Sequence, residues 1–137
     1  MAKIVGAAQF TAKLRNNSVQ AADFVEAALK DAASAIEVDA EISITTGASS
    51  SPHIPSLPGE PPNEEFGTLV NNIESIRTTV PGTLRYTVSS NAPYAAFLEL
   101  GSSRMQARPY MRPAMEKNRE KIVKLISAAI NQANRMK

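Results

Sequence analysis

The 23 residues from Thr45 to Gly67, TTGASSSPHIPSLPGEPPNEEFG, carry five prolines, three glycines and a serine run. Proline has no backbone N–H to give to a helix or a sheet ladder, so no regular element can run through this stretch. It therefore splits the 137-residue chain into a leading part and a trailing part. Irregular stretches longer than about 15 residues are uncommon inside compact domains and tend to be functional or disordered. Extended at about 3.5 Å per residue, this one would span about 80 Å, farther than such a domain is wide. The expectation is a long, flexible Pro/Ser-rich loop over 45–67 with enough reach to meet a neighbouring subunit.

Ahead of the loop, Ala21, Phe24, Val25, Ala28, Leu29, Ala32, Ala35 and Ile36 recur at spacings of three and four. This predicts an amphipathic helix from Val19 to about Ile42, with Asp23, Glu26, Lys30 and Asp31 towards water. Ser18 suits its N-cap. Ala7, Phe10 and Leu14 continue a similar stripe, either as a short leading helix or as part of one long one. Many stripe positions are alanines, which bury little area each and favour close helix packing over a thick core.

Behind the loop, TLVNNI reads as a short turn leading into extended chain. Ile76, Thr78 and Val80, then Leu84, Tyr86 and Val88, alternate on either side of Pro81 and Gly82, the pattern of a β-hairpin. Two strands alone make a small sheet that must lean on helices. From Pro113 onward, Met115, Ile122, Val123, Leu125, Ile126, Ala129, Ile130 and Ala133 outline a second long helix, with proline tolerated near its start. The fold class expected is α+β: a long N-terminal helix, a small antiparallel β-sheet with the flexible loop, and a long C-terminal helix, all in a single domain over 1–137.

Composition removes several function classes. The chain has no cysteine, which excludes disulfides, thiolate metal sites and a cysteine nucleophile. No apolar run approaches the roughly 20 residues that cross a bilayer, and the first residues lack a sustained apolar segment, so a soluble, unexported protein with no membrane partner is expected. The formal charge of +2 hides an asymmetry: residues 104–137 hold nine Lys or Arg against two Glu (+7), and the first 103 hold six against eleven acids (−5). Opposite parts of two copies could attract, and a basic tail also raises nucleic acid as a partner.

Catalytic readings fail on spacing. The one histidine, His53, lies in the Pro/Ser-rich loop beside Ser49, Ser50 and Ser51, with nothing to hold a nucleophile and base in register. Glu64 and Glu65 are a solvated pair, no spacing matches a calcium loop, and no glycine-rich loop ends in Lys-Ser or Lys-Thr. No enzyme activity and no cofactor are expected.

The densest segment is YAAFLELGSSRMQARPYMRPA at 94–114. Glu99 sits between Leu98 and Leu100, and a carboxylate in apolar surroundings needs a partner. Arg104, Arg108 and Arg112 follow, each able to grip it in a fork. An ion pair with Arg108 or Arg112 is expected, either as an architectural tie within the chain or as a lock between chains.

Read together, these residues resemble the signature of the small neck or tail-completion proteins of long-tailed bacteriophages, the family typified by gene product ten of a lambdoid phage. Tyr94, Ala95, Glu99, Gly101 and Ser102 fill the first half of that signature. Ala107, Arg108, Pro109, Tyr110, Arg112, Pro113 and Ala114 fill the second. PGEPP at 58–62 is similar to the family's proline-rich lead-in, and FGTLVNNI resembles its Thr-Gly-x-Leu-Arg-x-Ser-Ile box. Phe66, Val70 and Asn72 depart from that box, while Gly67, Leu69 and Ile73 keep it.

The resemblance implies a structural virion protein that forms a ring in the neck, a hexamer by tail symmetry. It would join the head-closure or connector protein to the tail terminator or tail tube protein and let genomic DNA pass. Tyr94, Phe97 and Tyr110 are the implied packing anchors, with core filling the favoured role for Phe97 and Leu98 and an equal alternative for Tyr110. Glu99, Gly101, Arg108 and Arg112 are the implied lock. Lys117, Lys121 and Lys124 on the C-terminal helix would face the DNA channel or dock on an acidic neighbour. A tail terminator or other minor tail protein is the alternative, and a non-specific nucleic-acid-binding module a more distant one.

Overall fold

The computed structural model describes residues 2–3, 19–46, 55–63, 67–78 and 80–135. Its elements in chain order are β1 (Ala2–Lys3), α1 (Val19–Thr46), a 3-10 turn (Val70–Asn72), β2 (Ile73–Arg77), β3 (Tyr86–Ser90), α2 (Ala95–Leu100) and α3 (Met111–Arg135). The three strands form one antiparallel sheet in the order β1-β3-β2. The architecture is α+β, as expected. The proposed Ser18 cap, the stripe of Ala7, Phe10 and Leu14, and His53 with its serines lie outside the described residues.

Helix α1 is 28 residues long and ends at Thr46 rather than near Ile42. Ala40 and Ile44 are fully buried and carry the apolar stripe onward. The Ser43 and Thr45 hydroxyls donate back to the carbonyls of Ala40 and Glu41, which occupies polar groups that would otherwise compete with the helix. Thr45 and Thr46 are thus helix, and the irregular stretch begins later than expected. Within that stretch, residues 55–63 carry neither helix nor strand.

Helix α1 is the hub, packed along α3 on one side and against β2 and β3 on another. Ala28, Ala32, Ala33 and Ala40 of α1 are buried, as are Ala114, Ala129 and Ala133 of α3. Side chains this small let two helix axes approach closely. Met111, Asn118 and Ile122 complete the buried line of α3, whereas Val123, expected inside, is 59% exposed. It lies one position off the Ala114, Asn118, Ile122 series, and one step turns a helix by about 100°. A single cluster of buried residues joins α1, the sheet, α2 and α3.

The hairpin turn lies where the sequence places it. Thr83 N–H donates to the Val80 carbonyl at 3.1 Å across Pro81 and Gly82, with Gly82 at φ +73°, the backbone that the third residue of a type II turn requires. The first strand differs from expectation in start and phase. It begins at Ile73, and Ile76 and Val80 are 48% and 57% exposed. Directly opposed residues share a sheet face. Arg77 is opposite Tyr86 and Ser75 is opposite Val88, so buried Tyr86 and Val88 fix the inner face and turn Ile76 outward. Arg77 uses its position to reach Glu26 on α1, Nε to Oε1 2.6 Å. Strand β1 was not expected, since two residues show no alternation.

Candidate functional site

The segment from Tyr94 to Ala114 folds back on itself and starts α3. In α2, Ala95 points inward and Leu98 packs half-buried against the core. At positions three apart, Tyr94, Phe97 and Leu100 are 41%, 58% and 71% exposed. They form an apolar knob on the outer side of the helix.

Gly101 ends α2, its N–H donating to the Phe97 carbonyl at 2.8 Å. With φ +79° and ψ 176° it occupies backbone space open essentially to glycine alone, and a Cβ there would lie 2.9 Å from Ala107 N and 3.1 Å from Met105 O. This close approach lets the chain return: Ser102 N–H donates to the Met105 carbonyl at 2.8 Å, and Arg108 N–H to the Leu98 carbonyl at 2.6 Å. The proline-rich segment is tied to the same place, through Gly59 N–H to the Ala107 carbonyl at 3.0 Å.

Glu99 completes the fold-back. Its Oε2 accepts from Tyr110 N–H (2.9 Å) and Met111 N–H (3.0 Å), and its Oε1 from Arg112 N–H (2.8 Å). The first N–H groups of an α-helix have no acceptor within the helix. A carboxylate there also meets the positive end of the helix dipole and makes charge-assisted bonds. Glu99 is therefore the cap of α3, supplied from α2.

This corrects the expected ion pair in its within-chain form. Among the described residues Glu99 forms none with Arg108 or Arg112, and Arg112 contributes its backbone amide rather than its guanidinium. Three aligned amides satisfy the carboxylate without fixing a long side chain, which carries an entropic cost. Arg108 Nε is buried with no hydrogen-bond partner among the described residues, and Arg112 is exposed.

Of the two roles weighed for Tyr110, packing anchor and core filling, the structure gives it core filling. It is 2% exposed, within the subunit's own core rather than on a surface that a neighbour could reach. Burial pushes its phenol above the ordinary range, partly offset by a hydrogen bond with Ser90. Phe97 shows the reverse: core filling was the favoured role for Phe97 and Leu98, but Phe97 is 58% exposed, and only Leu98 packs half-buried against the core.

Lys117, Lys121 and Lys124 are exposed along one face of α3. Lys117 Nζ lies 3.2 Å from Asp39 Oδ1, so it is engaged within the chain. Asn118 Nδ2 donates to Asp39 Oδ2 (2.5 Å) and to the Ala114 carbonyl (2.8 Å). The Asn118 bond, then Lys117 and the more distant charge of Lys121, hold the Asp39 carboxyl below its ordinary range against the opposing effect of burial. Sequence reasoning missed Asp39 and Asn118. The available signal was Asn118 itself, a polar residue at the fourth position after Ala114 and before Ile122 in the buried line.

An open groove of about 750 Å³ lies between the C-terminal half of α1, residues 55–63 and the start of α3, with Ile42, Leu57, Pro113 and Lys117 on its walls. Ser56 beside it is buried, its hydroxyl without a hydrogen-bond partner among the described residues. Among the described residues no cluster of His, Asp or Glu could hold a metal ion. No described helix is long and apolar enough to cross a membrane.

Residues 8–101, well over half of the chain, match the family described as "Bacteriophage HK97-gp10, putative tail-component". The match includes the Leu69 and Ile73 box and the knob through Gly101, and it stops before the Ala107–Ala114 return. None of the curated proteins and none of the solved structures matches the chain. Both the motif at 94–101 and the family match lead to one assignment: the chain belongs to the HK97-gp10-like family of bacteriophage tail components.

Proposed function

We propose that this protein is a structural, non-enzymatic subunit of the virion neck that assembles into a ring, a hexamer by tail symmetry, between the head-closure or connector protein and the tail terminator or tail tube. Membership of a phage tail-component family supports the virion setting. The observation that carries the ring is the knob: Tyr94, Phe97 and Leu100 project from a six-residue helix that Glu99, Gly101 and the Arg108 amide fasten to the body. Interfaces favour aromatic residues, and a surface already rigid loses little freedom on association. A ring needs one such surface meeting a different one on the next copy, with a rotation that closes.

DNA passage through the ring is the second part of the proposal. Asp39 already neutralises Lys117, which leaves Lys121 and Lys124 for loose, sequence-independent contact with phosphates or for an acidic neighbour. Weak contact suits a conduit through which DNA must move. The test is electron microscopy of lysates from a phage lacking this gene, with the wild-type gene supplied on a plasmid as control. DNA-filled heads beside finished but unjoined tails are expected. Tails of abnormal length would favour a tail terminator, and normal infectious particles would overturn the neck assignment.

A further inference from the structure

The knob needs a receiving surface, and three other places among the described residues expose large apolar side chains. They are Val38 and Ile42 on α1 with Leu57 nearby, Ile76 and Val80 on the hairpin, and Val123 on α3. Charge separates them. The chain carrying Arg104, Arg108 and Arg112 wraps α2, because Arg108 N–H bonds Leu98 and Arg112 N–H bonds Glu99. Arg104 and Arg112 are exposed, with no ion-pair partner among the described residues. The segment that presents the apolar knob thus also carries two exposed cations, Arg104 and Arg112, on the chain fastened to α2.

Val123 stands beside Glu116 and Glu120 as well as Arg119 and Lys124, and Ile76 shares its face of the hairpin with Glu74, with Arg85 nearby. Both patches carry mixed charge and offer no surface of one sign opposite to that of Arg104 and Arg112. On α1, at about 100° per residue, Val38 and Ile42 occupy one outward line and Glu37 and Glu41 the next. Neither glutamate has an ion-pair partner among the described residues. Burial and the neighbouring charge of Glu37 hold the Glu41 carboxyl above its ordinary range, and like charges four apart weaken a helix. A cation arriving from outside would relieve both. Ile42 and Leu57 also share the wall of the open groove, a concave receiver for a convex knob.

We propose that the Tyr94, Phe97 and Leu100 face of one subunit docks on Val38, Ile42 and Leu57 of the next copy, with Arg104 and Arg112 meeting Glu37 and Glu41. This pairing rests on the ring reading and specifies its interface. The two surfaces differ, so the contact is head-to-tail and propagates around a ring. The charges on the two sides fix register and exclude wrong partners more than they add affinity.

The chain has no cysteine, so a crosslink can be placed without background. A chain with both Phe97→Cys and Ile42→Cys, supplied to a phage lacking the gene, is expected to give particles in which mild oxidation produces a ladder of covalent multimers. Either single variant is expected to give monomer only. Leu100→Cys with Val38→Cys is a second pair should the first disturb assembly. Dimers from Phe97→Cys alone would mean a self-complementary contact and overturn the pairing. No ladder from either pair, in particles where an amine-reactive crosslinker still joins copies, would also overturn it and leave the ring standing. Monomer with both reagents would remove the ring itself. In parallel, Arg112→Glu and Glu41→Lys are each expected to cut the multimer yield about tenfold, the order of one lost interfacial charge pair, and to restore it when combined. Failure of that rescue would overturn the charge contact.

Discussion

Phe97 and Tyr110 belong to the same short segment and face opposite worlds. Tyr110 is 2% exposed, in the core beneath the start of α3, while Phe97 is 58% exposed on the outer side of α2. Between them Glu99 and Gly101 hold the return of the chain. The comparison shows that one dense run of aromatics, glycine and charge serves two purposes, closing the fold and presenting a surface. Stability measurements separate the two, because a closing residue must cost folding energy and a presenting residue must not.

The largest effect is expected at the closing end. Tyr110→Ala removes a buried aromatic from the core and should cost about 3–5 kcal/mol, read from the denaturant midpoint. Glu99→Ala strips the acceptor from three amides at the start of α3 and should cost roughly 2–3 kcal/mol, combining lost capping with lost charge-assisted bonds. Glu99→Gln, which keeps a carbonyl acceptor but no charge, should recover part of that loss. If Glu99→Ala were neutral by chemical denaturation, the closing assignment of the first half would fail. Gly101→Ala tests the hinge of the fold-back. Its backbone conformation excludes side chains and its Cβ would meet Ala107 N at 2.9 Å, so a loss of about 2 kcal/mol is expected.

How much of this was legible follows from the kind of interaction involved. The two long helices show in the sequence because a buried stripe repeats every three or four residues over many turns. The Pro-Gly turn shows because its dihedral requirement is local. The phase of β2 does not, since Ser75 and Arg77 on the inner face are polar and Ile76 on the outer face is not; only pairing with β3 decides it. Glu99 was singled out as a carboxylate needing partners, yet within the chain those partners are backbone amides and not the arginines expected. Sequence displays side chains, so arginines stood out, while the backbone amides that bind it become donors only once α3 exists. Asp39 with Asn118 was missed for a similar reason: the two meet only when α1 and α3 pack.

That helix-to-helix tie gives a smaller, pH-dependent test. The folded-state pKa of Asp39 is lowered, so its contribution is fully present above the unfolded value of about 3.9 and is lost as pH falls through the lower folded value. Asp39→Asn should flatten that part of the acid limb. At neutral pH it should cost under about 1 kcal/mol, because Lys117 is largely in water and an amide oxygen can still accept from Asn118. An unchanged acid limb would show that the Asp39 carboxylate carries no stability of its own.

The smallest effect on folding is expected at the presenting end, and it is the one that most sharpens the comparison. Phe97→Ser replaces a residue that is 58% exposed, so stability read from the denaturant midpoint should change by no more than about 0.5 kcal/mol in either direction. If the Phe97 ring is what a neighbouring copy grips, the same substitution should cut plating about tenfold in a complementation assay while still allowing some particles to form, since a buried aromatic anchor contributes strongly to such contacts. Full stability with full plating would leave the knob without an assembly role. A loss of stability comparable to that of Tyr110→Ala would erase the distinction between the two ends, placing Phe97 with the residues that close the fold.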